Sequence, residues 1–261
     1  MLDIKIQNQA VLVAVKITKW SNAKTDKSIT EEVTSDKGAH SDMIRVRKNL
    51  IKSAVVKAMS QIAGRIRNNL IGKLCVPWGA GEYLLSVDLL DQFEREWEQY
   101  EDRWNENLKE LGNEYESAVS QAKKILGDAF DEDDYPSREE ILSKYSLSKK
   151  IRNLPSGDDL RVSLPQAKLD KMKADIESDV TSTLEGAMQS VHDRVAETLA
   201  HLIEKLSDFG VDAKTGKATG IFRDSTVTNL TELAGILPSL NLTGDHKLTE
   251  VSNALLTQLR D

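Results

Sequence analysis

Apolar side chains downstream of Ser86 fall at Leu90, Phe93, Trp97, Tyr100, Trp104, Leu108, Leu111, Tyr115, Ala118, Ala122, Ile125 and Ala129. The spacing alternates threes and fours, a heptad seam with one stutter at Trp104–Leu108. A second run passes through Leu169, Met172, Ile176, Val180, Leu184, Met188, Val191, Val195, Leu199, Leu202, Leu206 and Phe209. Each predicts a helix of roughly 44 residues, about 65 Å long at 1.5 Å per residue. Two such helices joined by a compact insert at 130–164 most simply form a long antiparallel coiled-coil hairpin.

Around them the pattern is shorter-ranged. AVLVAVKITK (10–19) is β-branched and predicts a strand, paired with Ile4–Ile6. A short helix is expected over Ile29–Ser35. Ile44, Ile51, Val55, Met59, Ile62, Ile66 and Leu70 predict one helix from Asp42 to Leu74 with Ser41 as its N-cap. VPWGAGE then breaks the chain, since Pro77, Gly79 and Gly81 all punctuate the backbone. The insert should hold a short helix and a strand at Leu160–Leu164, with Pro165 in the first turn of the second long helix. VDAKTGKATGIF reads as a hairpin or loop around Thr215-Gly216, and two helices, Asp224–Leu237 and Asp245–Leu259, close the chain. The fold class is therefore mainly α with a small α+β part: strands and a basic helix over 1–85, the helical hairpin over 86–210, and a C-terminal segment over 211–261 that packs with the N-terminal part.

Composition agrees with a helical protein: 30% charged residues, 5% aromatics and five prolines in 261 residues. The net charge of −7 disfavours nucleic-acid binding by the whole surface but leaves room for a local basic face. Cys75 is the only cysteine, so a reducing compartment, the cytoplasm, is expected, or the host cytoplasm for a phage-encoded chain. The first twenty residues lack signal-peptide features, and no apolar run approaches the ~20 residues of a membrane span. The Asn229 and Asn241 sequons would then be inert.

Charge segregates in two places. From Ile44 to Lys73 the chain carries Arg45, Arg47, Lys48, Lys52, Lys57, Arg65, Arg67 and Lys73 and no acidic residue. On a single helix, Arg45, Lys48, Lys52, Arg67 and Lys73 would share about one third of the circumference, a row fit for phosphates. The alternative is a solvated face paired with Glu94, Glu98 and Glu101. The opposite charge gathers at Asp128, Asp131, Glu132, Asp133 and Asp134, a candidate surface for a basic partner or a decoy for a DNA-acting host enzyme. A calcium loop starting at Asp131 fails, because Tyr135 and Pro136 occupy its fifth and sixth places and Leu142 its twelfth. Ser137-Arg-Glu-Glu140 is instead a capping box, so the stretch reads chiefly as a helix boundary.

Enzyme-like patterns dissolve on inspection. Gly210 to Ala218 resembles a P-loop with one residue too many between its glycines and no hydroxyl for magnesium. Lys214-Thr-Gly216 lacks the companion SDN element of β-lactamases. His192 and His201 lie nine residues apart, on opposite sides of a helix, and His40 and His246 stand alone. Cys75 and the seam aromatics suit core packing better than catalysis or base stacking. No catalytic residue, metal or cofactor is expected.

LGDAFDEDDYPSREEILSKYSL, DLRVSL and FRDSTVTNLTELAGILPSLNLTGD, with the strand ending at Trp20 and VPWG at Val76–Gly79, resemble a family of uncharacterised phage and mobile-element proteins carrying a domain of unknown function. Some of its members are encoded near a MoxR-type AAA ATPase, and the resemblance implies an adaptor role with no active site to carry over. The leading expectation is a non-enzymatic, homo-oligomeric binding protein whose partner is an ATPase or a host factor. Single-stranded nucleic-acid binding through 44–73 and inhibition of a host defence enzyme through the acidic surface are the alternatives.

Overall fold

The structure, a computed structural model, describes residues 4–40, 42–160, 162, 164–208, 210–211, 218–219 and 224–258. In chain order the elements are α1 (Ile4–Gln7), β1 (Ala10–Thr18), β2 (Ala23–Thr25), α2 (Lys27–Lys37), β3 (Arg47–Asn49) and α3 (Ala54–Arg65). A π-helical turn at Ile66–Ile71 leads into α4 (Gly72–Leu74), β4 (Cys75–Gly79), β5 (Glu82–Ser86), α5 (Leu90–Leu126), α6 (Arg138–Ser143) and β6 (Ser146–Asn153). Then come α7 (Gln166–Asp208), β7 (Gly210–Val211), β8 (Ala218–Thr219), α8 (Asp224–Leu240) and α9 (His246–Gln258). The protein is mainly helical, with a small antiparallel sheet. Its residues form two compact units that interleave along the chain: 1–15, 68–95 and 149–261 in the first, 16–67 and 96–148 in the second.

The first unit is built on the sheet, whose strand order is β4-β5-β1-β6. β1 pairs antiparallel with β5, Leu12 opposite Leu84, and β4 pairs antiparallel with β5. Leu12 and Val13 point to opposite faces, and both are fully buried, so β1 is covered on both sides. The 43-residue α7 packs on β4 and α8, and α8 on α9. Val180, Leu184, Met188, Val191 and Val195, the middle of the second seam, are buried there. Gly157 explains how the turn before α7 lies so close: a Cβ at that position would sit 3.2 Å from the Cβ of Lys173.

The second unit is organised by the greater part of α5. Trp97, Trp104, Leu111, Tyr115, Ala118 and Ala122 of the first seam are buried. Trp104 meets Tyr145 edge-on at 6.1 Å, and Tyr115 meets Trp20 edge-on at 6.5 Å. The Tyr115 hydroxyl donates to the Pro136 carbonyl at 2.8 Å. α6 lies close at Gly112, whose carbonyl accepts from the Arg138 Nε at 2.5 Å; a Cβ there would fall 3.1 Å from that guanidinium. The expected Ser137–Glu140 capping box starts α6. Truncating Trp104 to alanine would cost on the order of 3–5 kcal/mol.

Several expectations need correcting. The single helix over Asp42–Leu74 does not form: a turn and β3 occupy its first third, and α3 starts after Ser53, whose hydroxyl accepts from the Val56 amide at 3.1 Å. Asn22 pins the junction, its side chain accepting from the Ile51 amide and donating to the Ile51 carbonyl. The expected cap Ser41 lies outside the described residues. Ile4–Gln7 is a helical turn, not a strand, and β5 takes the place beside β1. Leu160, Val162 and Leu164 are not in a strand, and the insert's strand is β6 instead. Pro165 stands one place before α7, accepting from Lys168 and Leu169 through its carbonyl. β7 and β8 pair as expected for a hairpin, but residues 212–217, with the P-loop-like glycine Gly216, lie outside the described residues. The two long helices are present, but the buried part of each seam is covered within its own unit, by Trp20 and Tyr145 for α5 and by β4 and α8 for α7.

Candidate functional site

The basic segment is distributed by structure rather than presented as one helical row. Lys48 alternates inward on β3, leaving its side chain 10% exposed, while Arg47 faces solvent. The Lys48 ammonium lies 3.1 Å from the Asp26 carboxylate, 2.9 Å from that of Asp134, and donates to the Ala129 carbonyl at 2.6 Å. Lys73 is in the first unit, bonded to Glu232. The other six, Arg45, Arg47, Lys52, Lys57, Arg65 and Arg67, are exposed, and none has an ion-pair partner among the described residues. Pairing with Glu94, Glu98 and Glu101 is not what holds them; Glu94 takes Lys149.

The acidic segment divides in the same way. Asp128, Asp131, Glu132 and Asp133 are exposed, whereas the Asp134 side chain is 1% exposed and cannot belong to a partner surface. Asp134 bonds Lys24 as well as Lys48, and it binds the β2–β3 ribbon to the turn before α6. Burial pushes its carboxyl up, but the hydrogen bonds and charges of the two lysines outweigh this and hold it below the ordinary 3.8. Asp26 is also held low, first by the Ile29 amide it caps and then by Lys48. Tyr135 completes the corner, stacked on Phe130 at 4.7 Å with its hydroxyl donating to the Leu50 carbonyl at 2.8 Å. Sequence reasoning missed this lock because its members lie far apart in the chain, and Ala23–Thr25 and Arg47–Asn49 carry no apolar alternation that would mark them as strands.

Other candidate chemistry is absorbed by packing. Cys75 is buried on β4, and burial pushes its thiol up to about 12, so it is no nucleophile at neutral pH. His192 lies 3.2 Å from Asp245, and His201, His246 and His40 each face a single carboxylate. Among the described residues no cluster of three or more His, Cys, Asp or Glu side chains could hold a metal ion, and no helix is long and apolar enough to cross a membrane. Phe93, Trp97, Trp104 and Tyr115 are at most 3% exposed, which removes them as stacking platforms.

What remains uncovered is the flank of α7. Its seam is buried from Val180 to Val195, half-buried at Leu199 and Leu202, and open beyond, with Ile203 62% and Leu206 51% exposed. At the other end Leu169 and Ile176 are half-buried and Met172 is 40% exposed. No protein-family model matches the chain, and no curated protein or solved structure matches it.

Proposed function

We propose that the chain is a non-enzymatic binding protein that works through protein–protein contacts, self-associating through the open end of α7. The observation that carries this reading is the continuation of the heptad beyond its cover: Leu199, Leu202, Ile203 and Leu206 fall at i, i+3, i+4 and i+7, and the last two are mostly exposed. Such a stripe is the seam of a helix–helix interface, and two copies of it are self-complementary. The expected hairpin paired the two long helices of one chain; in this reading α7 pairs instead with the α7 of a second copy. The sequence resemblance to phage and mobile-element proteins adds a role: an oligomeric adaptor for a ring ATPase or a host factor.

Light scattering on the eluting full chain tests this. The reading expects a species at a multiple of 29.1 kDa that falls to 29.1 kDa in the Ile203→Glu, Leu206→Glu double variant. Both positions are exposed, so the fold should survive the change. A wild-type chain that is monomeric at high concentration and captures no partner removes the reading.

A second reading rests on the six exposed cations between Arg45 and Arg67, none of which has an ion-pair partner among the described residues. It makes the second unit a single-stranded nucleic-acid binder driven by phosphate contacts, with log affinity falling about 0.7 per contact against log salt. Arg45→Glu with Lys52→Glu and Arg67→Glu should abolish a low-salt gel shift, and the absence of any shift in the wild type would dismiss this reading. No observation favours a third reading through the acidic stretch, of which Asp128, Asp131, Glu132 and Asp133 are exposed and Asp134 is committed to the lysine lock.

A further inference from the structure

The first unit contains a cavity of about 210 Å³ between β4, β5 and α7. Its walls include Cys75 and Val76 from β4, Tyr83 from β5, and Ser190, Val191 and Arg194 from α7. Ser190 and Val191 lie four and three residues before Arg194, one turn back on the same helical face. Arg194 is fixed from behind, its Nη1 donating to the Lys73 carbonyl at 2.8 Å.

That guanidinium has no carboxylate within ion-pair distance among the described residues. Cys75 cannot serve as its counter-ion, because burial pushes the thiol up to about 12 and leaves it neutral. Burial also draws the arginine down from its ordinary 12.5, but a guanidinium keeps its proton in proteins. A permanent cation in a largely apolar recess is costly without a counter-ion; its forked donors match a carboxylate or a phosphate, and the apolar walls favour the carboxylate, which can carry an alkyl chain. At about 30 Å³ per water-sized volume, the space suits a ligand of roughly seven non-hydrogen atoms.

We propose that this cavity binds a short aliphatic monocarboxylate, with the carboxylate on Arg194 and the alkyl chain against Val76 and Val191. The site is independent of the α7 flank and of the basic segment. Either of those readings can fail without touching it.

Calorimetric titration of the full chain with valerate, set against its neutral isostere valeramide, tests the proposal. Valerate should bind, and valeramide should bind weaker by on the order of tenfold or more, because it lacks the charge-assisted pair. Arg194→Gln should remove valerate binding, and so should Ser190→Phe, which fills the cavity without altering the charge. Equal affinity for valeramide, undiminished valerate binding in either folded variant, inorganic phosphate binding as tightly as valerate, or no valerate binding at all would each overturn it. Since Arg194→Gln also gives up the bond to Lys73, that variant could unfold; the valerate-to-valeramide ratio in the wild type and the Ser190→Phe result then decide.

Discussion

Tyr145 shows how tightly the second unit is drawn at the scale of one side chain. The residue is 5% exposed against Trp104, yet its hydroxyl is buried without a hydrogen-bond partner among the described residues, and burial pushes its pKa to about 12. An unsatisfied hydroxyl costs on the order of 1–3 kcal/mol, whereas the ring repays its burial through contact. Tyr145→Phe is therefore expected to stabilise the fold by about 1 kcal/mol and raise the urea midpoint accordingly, and a lower midpoint would show that the hydroxyl is satisfied in solution. Lys48 should behave in the opposite sense. Lys48→Met strips a cation from between Asp26 and Asp134 and leaves the buried carboxylate leaning on Lys24 alone, a loss of about 3 kcal/mol. Equal-sized losses in Lys48→Met and the exposed-site control Lys52→Met would refute the lock. Lys48 thus differs from its neighbours Arg45, Arg47 and Lys52, and only the strand alternation at Arg47–Asn49 separates them; read as a helix, the same residues looked like one binding row.

At the scale of elements, legibility followed how local the signal was. α5, α6, α7, α8 and α9 were readable because a repeat of threes and fours, or a capping box, is complete within a few turns of chain. The segment before α3 misled because Ile44 and Ile51 happen to fall a heptad apart, although Ile51 is buried in a loop pinned by Asn22. β6 was invisible for the reverse reason. It is the edge of the sheet, none of its eight residues is buried, and its lysines and arginine blunt the open edge, so no apolar alternation exists to be read. The arginine cavity was not legible at all, since Cys75, Tyr83 and Arg194 meet only through the packing of α7 on β4. The true start of α3 yields a direct test. Ser53 caps the Val56 amide and donates to the Glu114 carboxylate, so Ser53→Ala should cost about 1–2 kcal/mol in a denaturant titration. A neutral result would return the helix start to a position upstream.

For the whole molecule, the two units share one electrostatic device, and pH reads it. In the second unit Asp26 and Asp134 are held below 3.8, the former chiefly by the Ile29 amide and the latter by Lys24 and Lys48 against its burial. In the first unit Asp245 is held low by the Leu248 amide it caps, with help from Lys247 and His192. A carboxyl whose folded pKa lies below its unfolded one stabilises the fold above the unfolded value, and that contribution disappears as pH falls through the folded value. Lys24 and Lys48 shift the other way. Asp134 raises Lys24 through its hydrogen bond, and for Lys48 the two carboxylates overcome burial, so both lysines sit above 10.5. Their contribution is complete below 10.5 and is lost as pH rises through the folded values. These groups predict stability that declines below about pH 4 in both units, and Lys24 and Lys48 add a loss above about pH 10.5 in the second; in the first, Lys173, raised by Asp158, and the Cys75 thiol, pushed up to about 12, add an alkaline loss of their own. Thermal melts across that range, with Trp20 and Tyr145 environments reporting the second unit, should show the alkaline loss, and Asp134→Asn should flatten both limbs there while leaving the acid response of the first unit intact. An Asp134→Asn profile unchanged from wild type would mean that the lock is not made in solution.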